Sequence, residues 1–127
     1  MEKMDPIIAV KDVESSSKWY QSLLGCKSKH GGQEFDVLVS EKDEVLICLH
    51  KWGEHEHPTL SDPDLGIGNG LILYFRTENM NQVHQNAKDM NCIIEDELGK
   101  NPNSGKLEFS LRDLDGYYLT ISEYHKF

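Results

Sequence analysis

The sequence predicts one α+β domain built from two βαβββ modules, forming a curved mixed sheet (a cup) with helices on the outside. Three observations carry this. The chain has 127 residues, the length of a single domain. The order strand, helix, three short strands occurs twice, over about residues 5–52 and 70–125. Between the two copies, residues 53–69 are rich in Gly, Pro, Asp and His and lack periodicity, which marks a connector or a functional flap. Neither module can bury a four-stranded sheet face alone, so two packed side by side are expected to share the cup.

In the first module, Ile7–Val13 is an apolar run after Pro6 and reads as a strand. Asp12 can then cap a helix. Trp19, Tyr20, Leu23 and Leu24 recur at i, i+1, i+4 and i+5, one stripe of a helix over Glu14–Leu24. Gly25 follows, where a left-handed cap prefers glycine. Short strands are expected at Cys26–His30, Phe35–Ser40 and Val45–Trp52, separated by turns at Gly31-Gly32 and Glu41–Glu44.

The second module repeats the order. Leu71–Thr77 reads as a strand, and Asn79 with Gln82 resembles a capping box. The helix Met80–Met90 is expected to bury Met80, Val83, Ala87 and Met90, with Asn91 as a left-handed cap. Strands follow at Cys92–Glu97, Leu107–Arg112 and Tyr117–Glu123, the last entered through a turn at Leu114-Asp115-Gly116. Placing Gly25 over Asn91 puts Cys26 on Cys92 and Asp12 on Glu78, so the order of elements and caps repeats although side-chain identity is low.

Composition narrows the partners. A formal net charge of −9 repels phosphate backbones and anionic membranes and favours cationic ligands, so neither nucleic acid nor a membrane is expected. No run approaches the roughly 18 apolar residues of a membrane span. Met1–Pro6 is polar and does not read as a signal peptide. Cys26, Cys48 and Cys92 are odd in number, widely spaced and set in apolar runs, which suits buried thiols in a reducing, cytoplasmic setting. On size, a homodimer is expected.

Val10-x-Asp12, the serines Ser15–Ser17 before Trp19-Tyr20, Leu24-Gly25, and Arg112-Asp113-Leu114-Asp115-Gly116 carry a resemblance to a known family. In order and spacing they resemble the vicinal oxygen chelate superfamily of glyoxalases, extradiol dioxygenases and bleomycin-resistance proteins. The resemblance covers nearly the whole chain. It implies the cup fold and, in the family's enzymes, a divalent metal (Zn, Ni, Mn or Fe) held by His, Glu or Gln on the first and last strands of each module.

Those positions fall here on Asp5, Cys48, Gly70 or Ile72, and Thr120. Only Asp5 offers a good donor for an oxygen-preferring metal, and a solvated terminal Asp is its plainer reading. Glu123 alternates to the other face from Thr120 and cannot replace it. The expectation is therefore no cofactor.

With the family positions as reference, alternation assigns Ile7, Ala9 and Lys11, Leu46, Cys48, His50 and Trp52 to the cup face of the first module. Ile72, Tyr74 and Arg76, with Glu108, Ser110, Tyr118, Thr120 and Ser122, face it from the second. The opposite positions, such as Ile8, Val10, Ile47, Leu49, Leu73, Phe109 and Leu119, are almost all apolar. The candidate ligand contacts are His50, Trp52, Tyr74 and Arg76, together with Glu108, Ser110, Tyr118 and Thr120. A mix of aromatic and polar groups suits a small-molecule pocket, although a solvated sheet surface would also contain it. His50 is the one inward group able to shuttle a proton near neutral pH, and a simple hydrogen-bonding role is its plainer reading. His55-Glu56-His57 lacks the helical spacing of a zinc motif and reads as a solvated flap. The expected function is a metal-free protein that sequesters a small cationic or aromatic ligand. The alternative is a metal-dependent lyase, isomerase or dioxygenase of glyoxalase type using Asp5 and His50. A third reading is a regulatory or assembly module without a cavity.

Overall fold

The structure is a computed structural model in which residues 3–53 and 71–124 are described. The chain divides into two compact units, Met1–Gly66 and Ile67–Phe127. The expected connector at residues 53–69 lies, from residue 54 on, outside the described residues.

The first unit runs β1 (Ile7–Val10), α1 (Val13–Leu24), β2 (Lys27–Ser28), β3 (Phe35–Val39) and β4 (Val45–Lys51). The second runs β5 (Ile72–Thr77), α2 (Met80–Asp89), β6 (Ile93–Lys100), β7 (Leu107–Arg112) and β8 (Tyr118–Glu123). Sheet orders are β1-β4-β3-β2 and β5-β8-β7-β6, the same order in each unit. In both, the first and last strands pair in parallel and the others antiparallel. The repeat expected from the sequence is therefore present as two four-stranded mixed sheets, each with one helix.

Helix α1 begins and ends as its sequence dictates. The Asp12 carboxylate accepts the Ser15 amide at 3.0 Å, closing the first turn. At the other end Gly25 takes φ 71° and donates to the Gln21 carbonyl at 2.9 Å. The buried stripe differs from the expected one. Tyr20 and Leu23 are fully buried, Trp19 and Leu24 only half so, and Val13, Ser16 and Ser17 complete the face.

Helix α2 departs at its start. Asn79 is the N-cap residue, but its side chain makes no capping hydrogen bond, and Gln82 reaches forward to Asn86 at 2.8 Å. There is no capping box; Thr77 Oγ1 instead accepts the Asn79 amide. The C-terminus matches expectation: Asn91 has φ 55°, its amide donates to the Lys88 carbonyl, and the Cys92 amide donates to Ala87.

In the first unit, Ile8, Val10, Leu38, Ile47 and Leu49 lie under α1, all at most 3% exposed. In the second, Leu73, Phe109, Leu111, Leu119 and Ile121 lie under α2 with Met80, Val83 and Ala87. Each such side chain contributes about 1.5–3 kcal/mol on burial, so these layers hold the units together. Strand β2 is shorter than expected because Ser28 and the Gly31 amide turn toward the Asp36 carboxylate. Strand β6 is longer, running to Lys100 through irregularities at Ile94/Asp96 and Asp96/Gly99. Charges and bulges on this edge strand oppose pairing with another chain.

Candidate functional site

Register fixes which side chains share a face. Across β5, β8 and β7 the rows are Ile72–Tyr118–Arg112, Tyr74–Thr120–Ser110 and Arg76–Ser122–Glu108. Paired residues on neighbouring strands point the same way. Six of the expected contacts, Tyr74, Arg76, Glu108, Ser110, Tyr118 and Thr120, therefore lie together on the sheet face away from the apolar layer. The hydroxyls of Ser110 and Thr120 are 2.9 Å apart and buried. Tyr74 is 38% exposed and Arg76 is exposed.

Two tyrosines of this region, Tyr118 and Tyr124, carry the chain's own cations. The Arg112 guanidinium lies 4.9 Å from the Tyr118 ring centroid, and Arg76 lies 5.3 Å from that of Tyr124. Glu108 Oε1 accepts from the Asn101 amide at 2.9 Å, while Oε2 is buried with no hydrogen-bond partner among the described residues. A cavity of about 370 Å³ adjoins it, lined by Asp96, Lys100, Asn101, Asn103 and Glu108 among others.

His50 and Trp52 belong to the first unit. His50 shares a face with Ile7, Ala9, Phe35, Val37 and Cys48 through the pairs Ala9–His50, Phe35–His50 and Val37–Cys48. It is 6% exposed, and its Nδ1 donates to the Lys51 carbonyl at 2.8 Å. A carbonyl can only accept, so that bond places a proton on Nδ1. Trp52 sits just past β4, half-buried, its amide bonded to the Val10 carbonyl.

Phe35 was missed by the sequence reading, which did not sort β3 by face. It stands edge-on between His30, at 5.4 Å, and His50, at 6.2 Å, beside a cavity of about 400 Å³. The alternation of Phe35 and Val37 against Asp36 and Leu38 was the available signal.

Asp36 is the other omission. It is 2% exposed on the α1 side of the sheet, where the expected face is apolar. Burial raises its pKa, but hydrogen bonds from Ser17, the Gly31 amide, Ser28 and the Val37 amide outweigh that and leave it below the ordinary carboxylate value.

The divalent metal implied by the resemblance finds a poor donor set. Burial pushes the Cys48 thiol above its ordinary pKa, and the charges of Asp5 and Asp36 push it further, so it stays protonated. Ile72 has no donor atom. The Thr120 hydroxyl is engaged with Ser110. Glu123 accepts the Leu107 amide at 2.7 Å, on the opposite face from Thr120. Asp5 is exposed ahead of β1. Among the described residues no three His, Cys, Asp or Glu side chains come together as a metal site. Gly70 and His55-Glu56-His57 lie outside the described residues. No described helix is long and apolar enough to cross a membrane.

Comparison with known proteins follows the topology. A protein of unknown function from Agrobacterium tumefaciens str. C58 superposes with a TM-score of 0.79 at 20% identity, covering 98% of this chain and 95% of that one. TioX from Micromonospora sp. ML1 gives 0.76 at 14% identity, covering 98% and 100%. A possible glyoxalase from Bacillus cereus gives 0.67 at 14%, covering 96% and 98%. At these identities the likeness is one of fold. A comparison with curated protein sequences finds no match. The family model described as Glyoxalase/Bleomycin resistance protein/Dioxygenase superfamily matches residues 3–121. With that match and the doubled βαβββ topology, the chain belongs to the glyoxalase/bleomycin resistance protein/dioxygenase superfamily.

Proposed function

We propose that this chain is a metal-free binding protein that sequesters a small, partly aromatic molecule on the β5–β8–β7 face. The observation that supports it is the row Tyr74–Thr120–Ser110. It sets an exposed ring beside two buried hydroxyls on the side of the sheet that carries no helix. Such a row offers one apolar plate and a few fixed polar groups, the usual composition of a small-molecule site. Of the two ligand classes expected from sequence, the aromatic one fits this face better. The Tyr118 and Tyr124 rings already face guanidinium groups, so a ligand cation would compete with Arg112 and Arg76 for them. His50 belongs to the first unit, buried and bonded to a backbone carbonyl, and takes no part in this reading.

A library of small aromatic compounds, screened by NMR against the labelled chain, tests the proposal. Binders should shift the Tyr74 and Tyr118 ring signals. Tyr74→Ala should weaken them about tenfold, the order of 1 kcal/mol or more that a buried aromatic contact carries, with the melting temperature unmoved. A library in which no compound shifts either ring sinks the reading.

A further inference from the structure

Among the described residues two buried side-chain polar atoms have no hydrogen-bond partner, His84 Nε2 and Glu108 Oε2. A carboxylate oxygen left unpaired away from water is costly, so the second of these calls for a donor. The chain's own cations do not supply it. Lys100 pairs with Leu107 and so alternates to the opposite face from Glu108. Arg112 commits Nε to Glu95 and Nη1 to the Gly116 carbonyl. Arg76 shares the row Arg76–Ser122–Glu108 but stands two strands away, roughly 10 Å. The other half of the Glu108 carboxyl group is held still. Asn101 Nδ2 donates to Oε1 at 2.9 Å, and Asn101 is itself fixed by its remaining polar groups. Its Oδ1 accepts the Asn103 amide, its carbonyl accepts the Gly105 amide, and its own amide donates to the Lys106 carbonyl. Oε2 therefore has a set position beside the cavity of about 370 Å³ that Glu108 lines.

Gly99 keeps that cavity open. Register places it directly across from Glu108 on β6. No positive φ calls for glycine there, and a β-carbon would meet only the Glu97 carbonyl oxygen, at 3.8 Å. The missing side chain leaves the space beside Glu108 unfilled. Asp96 borders the same space; it pairs with Ser110 and so points to the Glu108 face. It continues the row Tyr74–Thr120–Ser110 to the β6 edge of the sheet. We propose that Glu108 and Asp96 form a site for a primary ammonium group, the alkylamine end of a small ligand, with Glu108 Oε2 as its principal acceptor. A compact cation with three N–H donors suits carboxylates arriving from two strands. The net charge of −9 favours the same sign of ligand. The Tyr118 and Tyr124 rings, which face Arg112 and Arg76, take no part. The site is therefore additional to the aromatic contact at Tyr74 and does not depend on it.

The test titrates the labelled full-length chain, at about pH 7, with n-hexylamine, n-hexanol and hexyltrimethylammonium. NMR follows the Asn101 side-chain amide and the Glu108 carboxyl carbon. Hexylamine, a cation at that pH, should shift both. Hexanol lacks the charge and hexyltrimethylammonium lacks N–H donors, so each should bind about tenfold more weakly or worse. Glu108→Gln keeps an oxygen for Asn101 and puts an NH₂ group where Oε2 stands. It should weaken hexylamine about ten- to a hundredfold, as loss of a charged hydrogen bond implies, with the Tm unmoved. Gly99→Val should block the amine with both carboxylates intact. Hexylamine that leaves both signals in place, binds no better than hexanol, or is indifferent to Glu108→Gln overturns the inference. So does a quaternary ion as tight as hexylamine, which would mean general attraction to an acidic surface. None of the three probes carries a ring, so the reading at Tyr74 stands or falls by its own screen.

Discussion

At the scale of single residues, Asp36 has the clearest consequences. A buried carboxylate is tolerated only where hydrogen bonds replace its water, and here two serine hydroxyls and two backbone amides do so. Asp36→Ala strands those donors in a closed layer and should cost about 3 kcal/mol in urea unfolding, while Asp36→Asn costs less because it keeps the shape. The pH dependence has a definite sign. The folded-state pKa is depressed below the unfolded value of about 3.9, so the Asp36 contribution is fully present above that value. It is lost as pH falls below about 4 and through the folded pKa. Wild-type stability should therefore decline more steeply than that of Asp36→Asn across this range, and parallel acid limbs for the two proteins would rule the account out. Nothing in the local sequence announced this residue. A lone Asp between Phe35 and Val37 reads as the solvent side of a strand, and its partners Ser17 and Ser28 are distant along the chain. His84 is a smaller case of the same kind, its ring edge-on to Phe109 with Nε2 buried and unpartnered among the described residues.

At the scale of elements, the two helices make a controlled comparison. They hold equivalent places in the repeat, yet only α1 has a side chain on its first turn. Asp12→Ala should lower the Tm by about 4 °C, whereas Asn79→Ala should leave it nearly unmoved. Equal losses in thermal melts would show that the α2 cap forms in solution. The C-termini invert the comparison. Gly25→Ala forces a β-carbon into φ 71° and should cost about 1 kcal/mol, while Asn91→Gly relieves a residue at φ 55°. These ends also show what was legible. Gly25, Asn91 and the turn at Gly116 are set by local backbone sterics, and local sequence encodes them. Asn79 was misread because an Asx residue is favourable as a cap in several geometries, and its φ −119°, ψ 47° does not aim the amide at the first turn. The length of β6 was hidden because Glu95, Asp96 and Glu97 break the alternation that identifies strands, and the bulges that accommodate them depend on pairing with β7.

At the scale of the whole molecule, the order of elements repeats and is recovered as the same sheet order in both units, so topology was readable from pattern alone. Much of the sorting of side chains by face was readable as well, since a period of two leaves two choices per strand and the apolar set selects one. Arg112 escaped, although it shares the face with Tyr118, because it was counted only as part of the turn motif that follows it. The family's chemistry is a separate matter, since one scaffold carries several activities and the donor atoms decide among them. Here those atoms are an exposed Asp5, a protonated Cys48 thiol, an apolar Ile72 and an engaged Thr120 hydroxyl. A metal held at hundredfold excess over its Kd would stabilise the fold by about 2.7 kcal/mol, a shift of several degrees. The donor set predicts instead that chelator treatment, or added Zn²⁺, Ni²⁺, Mn²⁺ or Fe²⁺, leaves the Tm within about 1 °C, with well under one metal per chain by elemental analysis. A response abolished by Asp5→Ala and His50→Ala would return the chain to the metal-dependent branch of its superfamily. A response abolished only by replacing His55 and His57 would place the metal on the connector sequence, away from the positions the family's enzymes use.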